Sequence, residues 1–334
     1  MNEKPSLKSE ILRQLKERKG EWVSGEMLRQ EYGVSRTAIS KNVRNLVRRG
    51  YHIGSSTRKG YCLQHEPDLL HPDVVKPLLS STLFSADRYI FTEETNSTND
   101  DAKQAALLGA PEGVVLVTEG QRMGRGRRGR LWFGDHGNSL LFSLVLRPPI
   151  APILAPVLPL LSAVALHRTL VQLGLNAGIK WPNDVLIEGK KISGILCEIS
   201  ADMDNVQHAV VGIGLNVNTP GSSFPAEIAD LACSMHSVTG KTFPRAEVLQ
   251  RFLQNFEDLY LSGLLDQFAE VRRLWVENAV TLGQVVNLET PRGMITGTAK
   301  DITEIGALIV VDEAGQEHIV ISGELPPEAH DDFR

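Results

Sequence analysis

Apolar positions near the start of the chain recur with helical spacing. Leu7, Ile11, Leu12 and Leu15 share one helix face. Ser24 stands as the N-cap of a second short helix through Met27 and Leu28, and Gly33 closes it. Ser35 caps a third, in which Ile39, Val43, Leu46 and Val47 form a stripe while Arg36, Ser40, Lys41, Arg44 and Arg48 point elsewhere. The period then changes. Tyr51-His52-Ile53 and Tyr61-Cys62-Leu63 flank a turn at Arg58-Lys59-Gly60, which predicts a β-hairpin. Three helices followed by a basic hairpin make a winged helix-turn-helix pattern. In such a module Ser35, Arg36, Thr37 and Ser40 face base edges, with Arg44, Arg48, Arg58 and Lys59 nearer phosphates.

Prolines at 67, 72 and 77 punctuate a boundary region, after which strand patterns dominate. Tyr89-Ile90-Phe91 begins the next domain, and Val114 to Val117 forms a further apolar strand. Val185-Leu186-Ile187 and Ile192 to Ile199 read as a hairpin around Glu188-Gly189. From Val210 to Asn218 the residues alternate: Val211, Ile213, Leu215 and Val217 on one face, Gly212, Gly214, Asn216 and Asn218 on the other. The glycines leave room either for a ligand or for close packing by a helix. The apolar run Pro148 to Leu166 is long enough to span a membrane. Pro149, Pro152, Pro156 and Pro159 interrupt it, which predicts a loop leading into a buried helix. Short alternating runs at 285–288, 294–298, 307–311 and 318–321 predict a small SH3-like β-barrel. The chain is therefore expected to be a multidomain α/β (α+β) protein: a DNA-binding domain at 1–65, a linker at 66–85, a catalytic domain at 86–280 and a C-terminal domain at 281–326.

Charge sharpens this division. Residues 1–65 hold 14 Lys and Arg against 6 Glu and no Asp, a balance of +8, while the whole 334-residue chain carries −5, leaving −13 elsewhere. An anionic polymer would bind the N-terminal part. The three cysteines lie far apart without C-x-x-C spacing, which argues against a disulfide framework or zinc site and fits a reducing cytoplasm. The first 20 residues are charged throughout, so no secretory signal and no membrane partner are expected.

Candidate chemistry clusters in four places. Arg122 and the run Gly124-Arg125-Gly126-Arg127-Arg128-Gly129-Arg130 place five arginines in nine residues. Such a loop repels itself when empty and orders over a polyanion, its guanidinium groups matching phosphate or carboxylate oxygens. Lys180-Trp181-Pro182-Asn183-Asp184 ends a strand with a cation beside a carboxylate; Asp184 suits Mg²⁺ on a triphosphate, and Lys180 offsets phosphate charge. Lys191 follows the hairpin bend. Ser97-Thr98-Asn99 precedes a helical stretch and serves either to cap it or to hydrogen-bond a polar ligand.

Together and in this order, Ser97-Thr98-Asn99, Gln121, GRGRRGR at 124–130, KWPND at 180–184, KISG at 191–194 and GIGLNVN at 212–218 resemble the biotin protein ligase family. With the N-terminal module, the chain is similar to the bifunctional bacterial form, which biotinylates a carrier protein and represses biotin synthesis genes. The resemblance implies a class II synthetase-like catalytic domain with a mixed sheet, and ATP, Mg²⁺ and biotin as ligands. It also implies the biotin carboxyl carrier protein and operator DNA as partners, and a homodimer when the adenylate is bound. Biotin is then held by Ser97, Thr98, Asn99, Gln121, Arg125, Gly126, Arg127 and Lys191, and the nucleotide by Arg127, Arg130, Asn183, Asp184 and Asn216. Lys191, Arg127, Lys180 and Asp184 are the expected catalytic groups. Two positions depart from the family pattern. Phe133-Gly134-Asp135 replaces an aromatic-Ser-Pro exit from the loop, and Val320 and Ile321 stand before Ser322-Gly323-Glu324 where some members carry an aromatic residue beside adenine. A lipoate-type ligase shares the architecture and is the alternative within the same chemistry; a ligand-sensing repressor without catalytic activity is the alternative from another class.

Overall fold

The computed structural model describes residues 6–48, 50–266, 268–290, 293–321 and 323, so Ser322 and Glu324 lie outside the described residues. The chain divides into two compact units, 1–68 and 69–334.

The first unit follows its apolar spacing. Helices α1 (Leu7–Glu17), α2 (Gly25–Tyr32) and α3 (Arg36–Arg48) bury Ile11, Leu12, Leu15, Leu28, Ile39, Val43 and Leu46 together. Their starts are set by hydroxyl caps: Ser6 accepts from the Ser9 N–H, Ser24 from Glu26 and Met27, and Ser35 from Ala38. Val47 departs from expectation. It is 47% exposed, because one heptad-length step beyond Ser40 carries it off the buried arc that Ile39, Val43 and Leu46 occupy. Strands β1 (His52–Ser56) and β2 (Gly60–His65) pair antiparallel as the expected hairpin.

The second unit is built on a seven-stranded mixed sheet. Its order is β3 (Tyr89–Thr95), β4 (Val114–Gln121), β5 (Ser139–Leu146), β9 (Val206–Asn216), β8 (Lys190–Ala201), β7 (Asp184–Ile187) and β6 (Gly178–Lys180). The β3 and β4 strands run parallel and every other pairing is antiparallel. On one face α6 (Val157–Gln172) and α8 (Arg245–Asp266) complete the main core with Val211, Ile213 and Leu215. On the other face α5 (Thr98–Leu107) covers a small patch, Ala102 and Ala106 against Val114, Leu116, Val145 and Val210. The rest of that face is open to the cleft described below. The shorter α4 (Pro72–Val75) and α7 (Met235–Thr239) lie in connections, and α9 (Ala269–Glu277) buries Val271 and Trp275.

The run that raised a membrane question is a core helix. Pro152–Gln172 is apolar and long enough to cross a bilayer, yet 67% of its most apolar window is buried inside the protein. Pro159 sits in the first turn of α6, where a missing N–H costs little. The expected linker at 66–85 contributes Leu70, Val75, Leu83 and Phe84 to the main core. A buried ion pair anchors its start. Arg245 Nη1 lies 2.7 Å from Glu119 Oε2 and donates to the Ser139 carbonyl at 3.0 Å, while Glu119 Oε1 accepts from the Leu70 N–H at 2.9 Å. Tyr89 donates to the Leu70 carbonyl, and burial with the nearby Glu119 charge pushes its hydroxyl pKa up.

At the C-terminal end β10 (Val285–Thr290), β11 (Gly293–Ile302), β12 (Leu308–Val311) and β13 (Glu317–Val320) form a four-stranded antiparallel sheet in chain order. The expected closed barrel is corrected here: among the described residues no pairing joins β10 to β13. The sheet hides its apolar face by packing instead of closure. Val286, Leu288, Ala299, Leu308 and Val310 join the same core cluster as the large sheet. Trp181 Nε1 donates to the Gly306 carbonyl at 3.1 Å, and Arg272 donates to the Ile302 carbonyl and to Asp301.

Candidate active site

Register builds the floor of the site. Lys180 pairs with Asp184, Asp184 with Gly194 and Gly194 with Gly214, so these four residues stand in one row across β6, β7, β8 and β9 on the open face. The two glycines of β9 are dictated by what lies above them. A Cβ on Gly214 would stand 2.3 Å from the Trp132 ring, and one on Gly212 would stand 1.9 Å from Asn99 Oδ1. Of the two readings left open for this strand, both have a physical counterpart: the bare backbone accepts a side chain of α5 and leaves a cleft of about 920 Å³ beside it.

One end of the cleft is neutral and hydrogen-bonding. The Thr98 N–H and hydroxyl both donate to Gln121 Oε1, at 2.7 and 3.1 Å, leaving the Gln121 amide N–H groups as what it offers. Ser143 on β5 lies 2.7 Å from both Thr98 Oγ1 and Asn99 Oδ1. Asn99 Nδ2 donates to the Leu196 carbonyl at 3.3 Å and to Glu198 Oε2 at 2.9 Å. Ser97, Thr98 and Asn99 are all buried. Ser97 occupies the N-cap of α5, but its side chain makes no capping bond, so capping is not its role.

The other end is cationic. The two-residue bend at Glu188 (φ 50°) and Gly189 (φ 77°) is a tight turn of the kind that matches strand twist, and it delivers Lys191 to the open face. Lys191 Nζ lies 2.7 Å from Asp184 Oδ1 and 5.6 Å from the centre of the Trp132 ring. Backbone bonds fix its position: its N–H donates to the Leu231 carbonyl and its carbonyl accepts from the Cys233 N–H. Arg127 Nη1 donates to Asn183 Oδ1 at 3.4 Å, and Asn183 Nδ2 donates to the Ile195 carbonyl at 2.7 Å. Asn216 donates to the Cys233 carbonyl at 3.0 Å, while its Oδ1 is buried without a hydrogen-bond partner among the described residues. The Trp132 indole N–H is in the same condition. Besides Arg127, the Gly/Arg loop is tied through Arg125 to Asp100 and through Arg128 to Glu289 of β10.

All the residues expected at the ligand site, from Ser97, Thr98, Asn99 and Gln121 through Arg125, Gly126, Arg127, Arg130, Lys180, Asn183 and Asp184 to Lys191 and Asn216, line this one cleft. Those expected on DNA stand in the first unit. Ser35 caps α3, and Arg36, Thr37, Ser40 and Arg44 follow along its N-terminal turns, with Arg58 and Lys59 at the hairpin bend. Arg36 is ion-paired with Glu26 at 2.9 Å. Hydrogen bonds from Arg29 and then Arg36 hold the Glu26 carboxyl down at about 2. Lys59 lies over the Trp22 ring.

Four side chains escaped the sequence. Trp132 covers the glycine row, and Leu131 beside it is 83% exposed. Ser143 and Glu198, which hold Thr98 and Asn99, sit in strands where nothing local shows what lies opposite: β5 is buried at every position. Phe224, whose ring stands 5.9 Å from Phe133, comes from a stretch without periodicity.

The comparisons agree with this geometry. Residues 91–216 match the model of the Biotin/lipoate A/B protein ligase family, 8–62 an HTH domain, and 281–324 the Biotin protein ligase C terminal domain. The Bifunctional ligase/repressor BirA of Bacillus subtilis (strain 168) is 34% identical over 315 residues, 94% of this chain and 97% of that protein. The chain belongs to the bifunctional ligase/repressor branch of the biotin protein ligase family. The Biotin--[acetyl-CoA-carboxylase] ligase of Paracoccus denitrificans is 35% identical over 232 residues, 67% of this chain and 95% of that one. The biotin protein ligase from Aquifex aeolicus, solved with biotin and ATP, superposes with a TM-score of 0.61 at 31% identity, covering 71% of this chain and 97% of that one. Among the family's members this chain is a ligase with an N-terminal helix-turn-helix unit, as its motifs had implied.

Proposed function

We propose that this ligase joins biotin to AMP from ATP, transfers the biotinyl group to a lysine of a biotin carboxyl carrier protein, and represses biotin synthesis genes with the adenylate as corepressor. The observation that carries this reading is the polarity of one cleft: a neutral hydrogen-bonding end at Thr98, Asn99 and Gln121, and a cationic end at Lys191, Lys180 and Arg127. A neutral ureido ring suits the first and a carboxylate meeting a triphosphate suits the second.

In the first step a biotin carboxylate oxygen attacks the α-phosphorus, the bond to the β-phosphate oxygen breaks, and pyrophosphate departs with the electron pair. Two anions must meet, and fixed cations lower that barrier because they need no reorganisation as charge shifts. Lys191, Arg127 and Lys180 supply them, with Arg130 at the rim. Asn183 orients Arg127, and the unpartnered Asn216 Oδ1 is an acceptor suited to a base amino group. Mg²⁺ would be held mainly by the phosphates, with Asp184 as a protein carboxylate, and would offset their charge. In the second step the carrier amine attacks the acyl carbon and AMP leaves. The amine must first lose its proton, against an ordinary pKa near 10.4; Asp184, beside Lys191, is a carboxylate at that end. The Gly/Arg loop and the C-terminal sheet, read as the family's SH3-like element, close over the adenylate and keep water away. Dimerisation on closure would join two DNA-binding units, with an effective-concentration gain of about 10²- to 10⁴-fold. A reducing cytoplasm suits the three free thiols.

The deciding assay is pyrophosphate release on adding biotin to enzyme and ATP. Release with lipoate but not biotin would transfer the chain to the lipoate-type reading, and release with neither would leave a sensing repressor. Sedimentation with and without biotin plus ATP tests the corepressor: a shift toward dimer is expected.

A further inference from the structure

Beneath the neutral end of the cleft runs a line of alternating charge that the ligase chemistry does not itself require. Asn99 Nδ2 donates to Glu198 Oε2 at 2.9 Å, and Glu198 Oε1 accepts from Lys103 Nζ at 2.9 Å. Lys103 also lies 3.1 Å from Asp100 Oδ1, and the same oxygen is ion-paired with Arg125 of the Gly/Arg loop. Burial opposes charge on Lys103, but its bonds to Glu198 and Asp100 outweigh that and raise its pKa; burial likewise opposes charge on Asp100, and Lys103 and Arg125 outweigh it and lower its pKa. From Asn99 outward the line runs carboxylate, ammonium, carboxylate, guanidinium.

Its effect on Asn99 is directional. An amide has two N–H donors and one carbonyl acceptor, and a flip exchanges them. Here both donors are engaged by acceptors that have no proton to offer, the Leu196 carbonyl and the Glu198 carboxylate. A flipped Asn99 would set its oxygen against both. Asn99 Oδ1 is thus held on the opposite side, over Gly212, where Ser143 takes one of its two lone pairs and the cleft adjoins the other. Asn99 thus offers an acceptor on the Gly212 side because a carbonyl and a carboxylate stand behind its amide nitrogen.

We infer that Glu198 is a positioning residue for the acid-binding end of the cleft, locking the Asn99 amide with its oxygen toward an N–H donor of the ligand and linking it through Lys103 and Asp100 to Arg125. The inference rests on the biotin reading above, and it adds a selection rule: the pocket prefers ligands that donate a hydrogen bond at this point over shape-matched ligands that do not.

The test is a cycle over protein and ligand. Calorimetry measures biotin and an N-methylated biotin, each against the full-length protein and Glu198→Gln, with thermal melts to check folding. The substituted amide keeps the shape of the carboxylate but brings N–H groups of its own, so one of the two acceptors that hold the Asn99 amide is lost and the Leu196 carbonyl is left to hold it alone. Wild type is expected to prefer biotin over the methylated analogue. The substitution should weaken biotin by about tenfold, the scale of one lost hydrogen bond, weaken the analogue by less than about threefold, and leave the KM for ATP within about twofold. Equal losses for both ligands, or no loss for biotin, would overturn the assignment, since a generally loosened pocket cannot tell them apart. Lys103→Met, which keeps Glu198, should retain most of the preference. If the wild-type protein takes up no biotin, the biotin reading fails and this assignment falls with it, an outcome distinct from equal losses in a protein that does bind biotin.

Discussion

The DNA-binding unit and the catalytic cleft both depend on arginine and lysine, yet they hold them in opposite ways. In the first unit the cations project from a helix and a hairpin bend: the Arg36 side chain is 79% exposed, its partner Glu26 being another surface group. In the cleft they stand on strands and a cross-linked loop: Lys191 is 36% exposed, paired with Asp184 and seated against Trp132. Arg245 completes the series, fully buried against Glu119. The same charge does three jobs according to its solvation. On the proposed reading exposed cations attract a polyanion through a salt-screened field and half-buried ones are aimed in advance at developing charge, while the buried one holds elements together because it and the Leu70 N–H replace the water that burial takes from Glu119.

The largest effect is expected at the buried end of that series. Arg245→Met leaves Glu119 buried and charged, and should cost about 3–5 kcal/mol of stability in chemical denaturation. A loss under about 1 kcal/mol would mean that the pair is not what anchors the 69–85 segment. Next, Lys191→Ala should lower turnover by about 10²- to 10³-fold in biotin-dependent pyrophosphate release while the protein still melts cooperatively; unchanged kinetics would remove Lys191 from the mechanism. Third, Gly214→Ala presses a methyl group against Trp132, and overpacking of about 1–3 kcal/mol translates to roughly tenfold or more weaker ligand binding by calorimetry. The smallest change belongs to the exposed end. Lys59→Ala should reduce the salt dependence of DNA binding by about one unit of slope and leave adenylation unaltered. If it slowed adenylation, the division between field and preorganised site would be wrong.

The same contrast decides what could be read from residues alone. Local rules sufficed wherever a segment is its own context: the Ser24 and Ser35 caps, the Glu188-Gly189 bend and the alternation from 210 to 218 are visible without neighbours. Non-local pairing was not visible. No spacing reveals that β9 lies between β5 and β8, and it is that order which places Ser143 beside Asn99 and Gly194 beside Gly214. An indole between Leu131 and Phe133 carries no sign of a ligand site; the seat of Trp132 on Gly194 and Gly214 depends on strands that come much later in the chain. The C-terminal runs were found, but whether four short strands close or lean on a neighbour depends on the surface available, and here the large sheet's core supplies it. The long helix α8 and the shorter α9 went unread beside the stronger motif signals.

The tight bend between β7 and β8 also works as a ruler. The bend sets the pairing of Ile187 with Lys190 and of Leu186 with Lys191, and the irregularity that follows puts Ile192 and Ser193 both on the buried side, so a bend lengthened by one residue would slip Lys191 off Leu186 and out of line with Asp184. The opposite end of the same strand, around Asp202 to Asn205, carries no such constraint, because a change there leaves the register of Lys191 untouched. Natural insertions in this protein's lineage should therefore accumulate at the far loop and be absent from the near one.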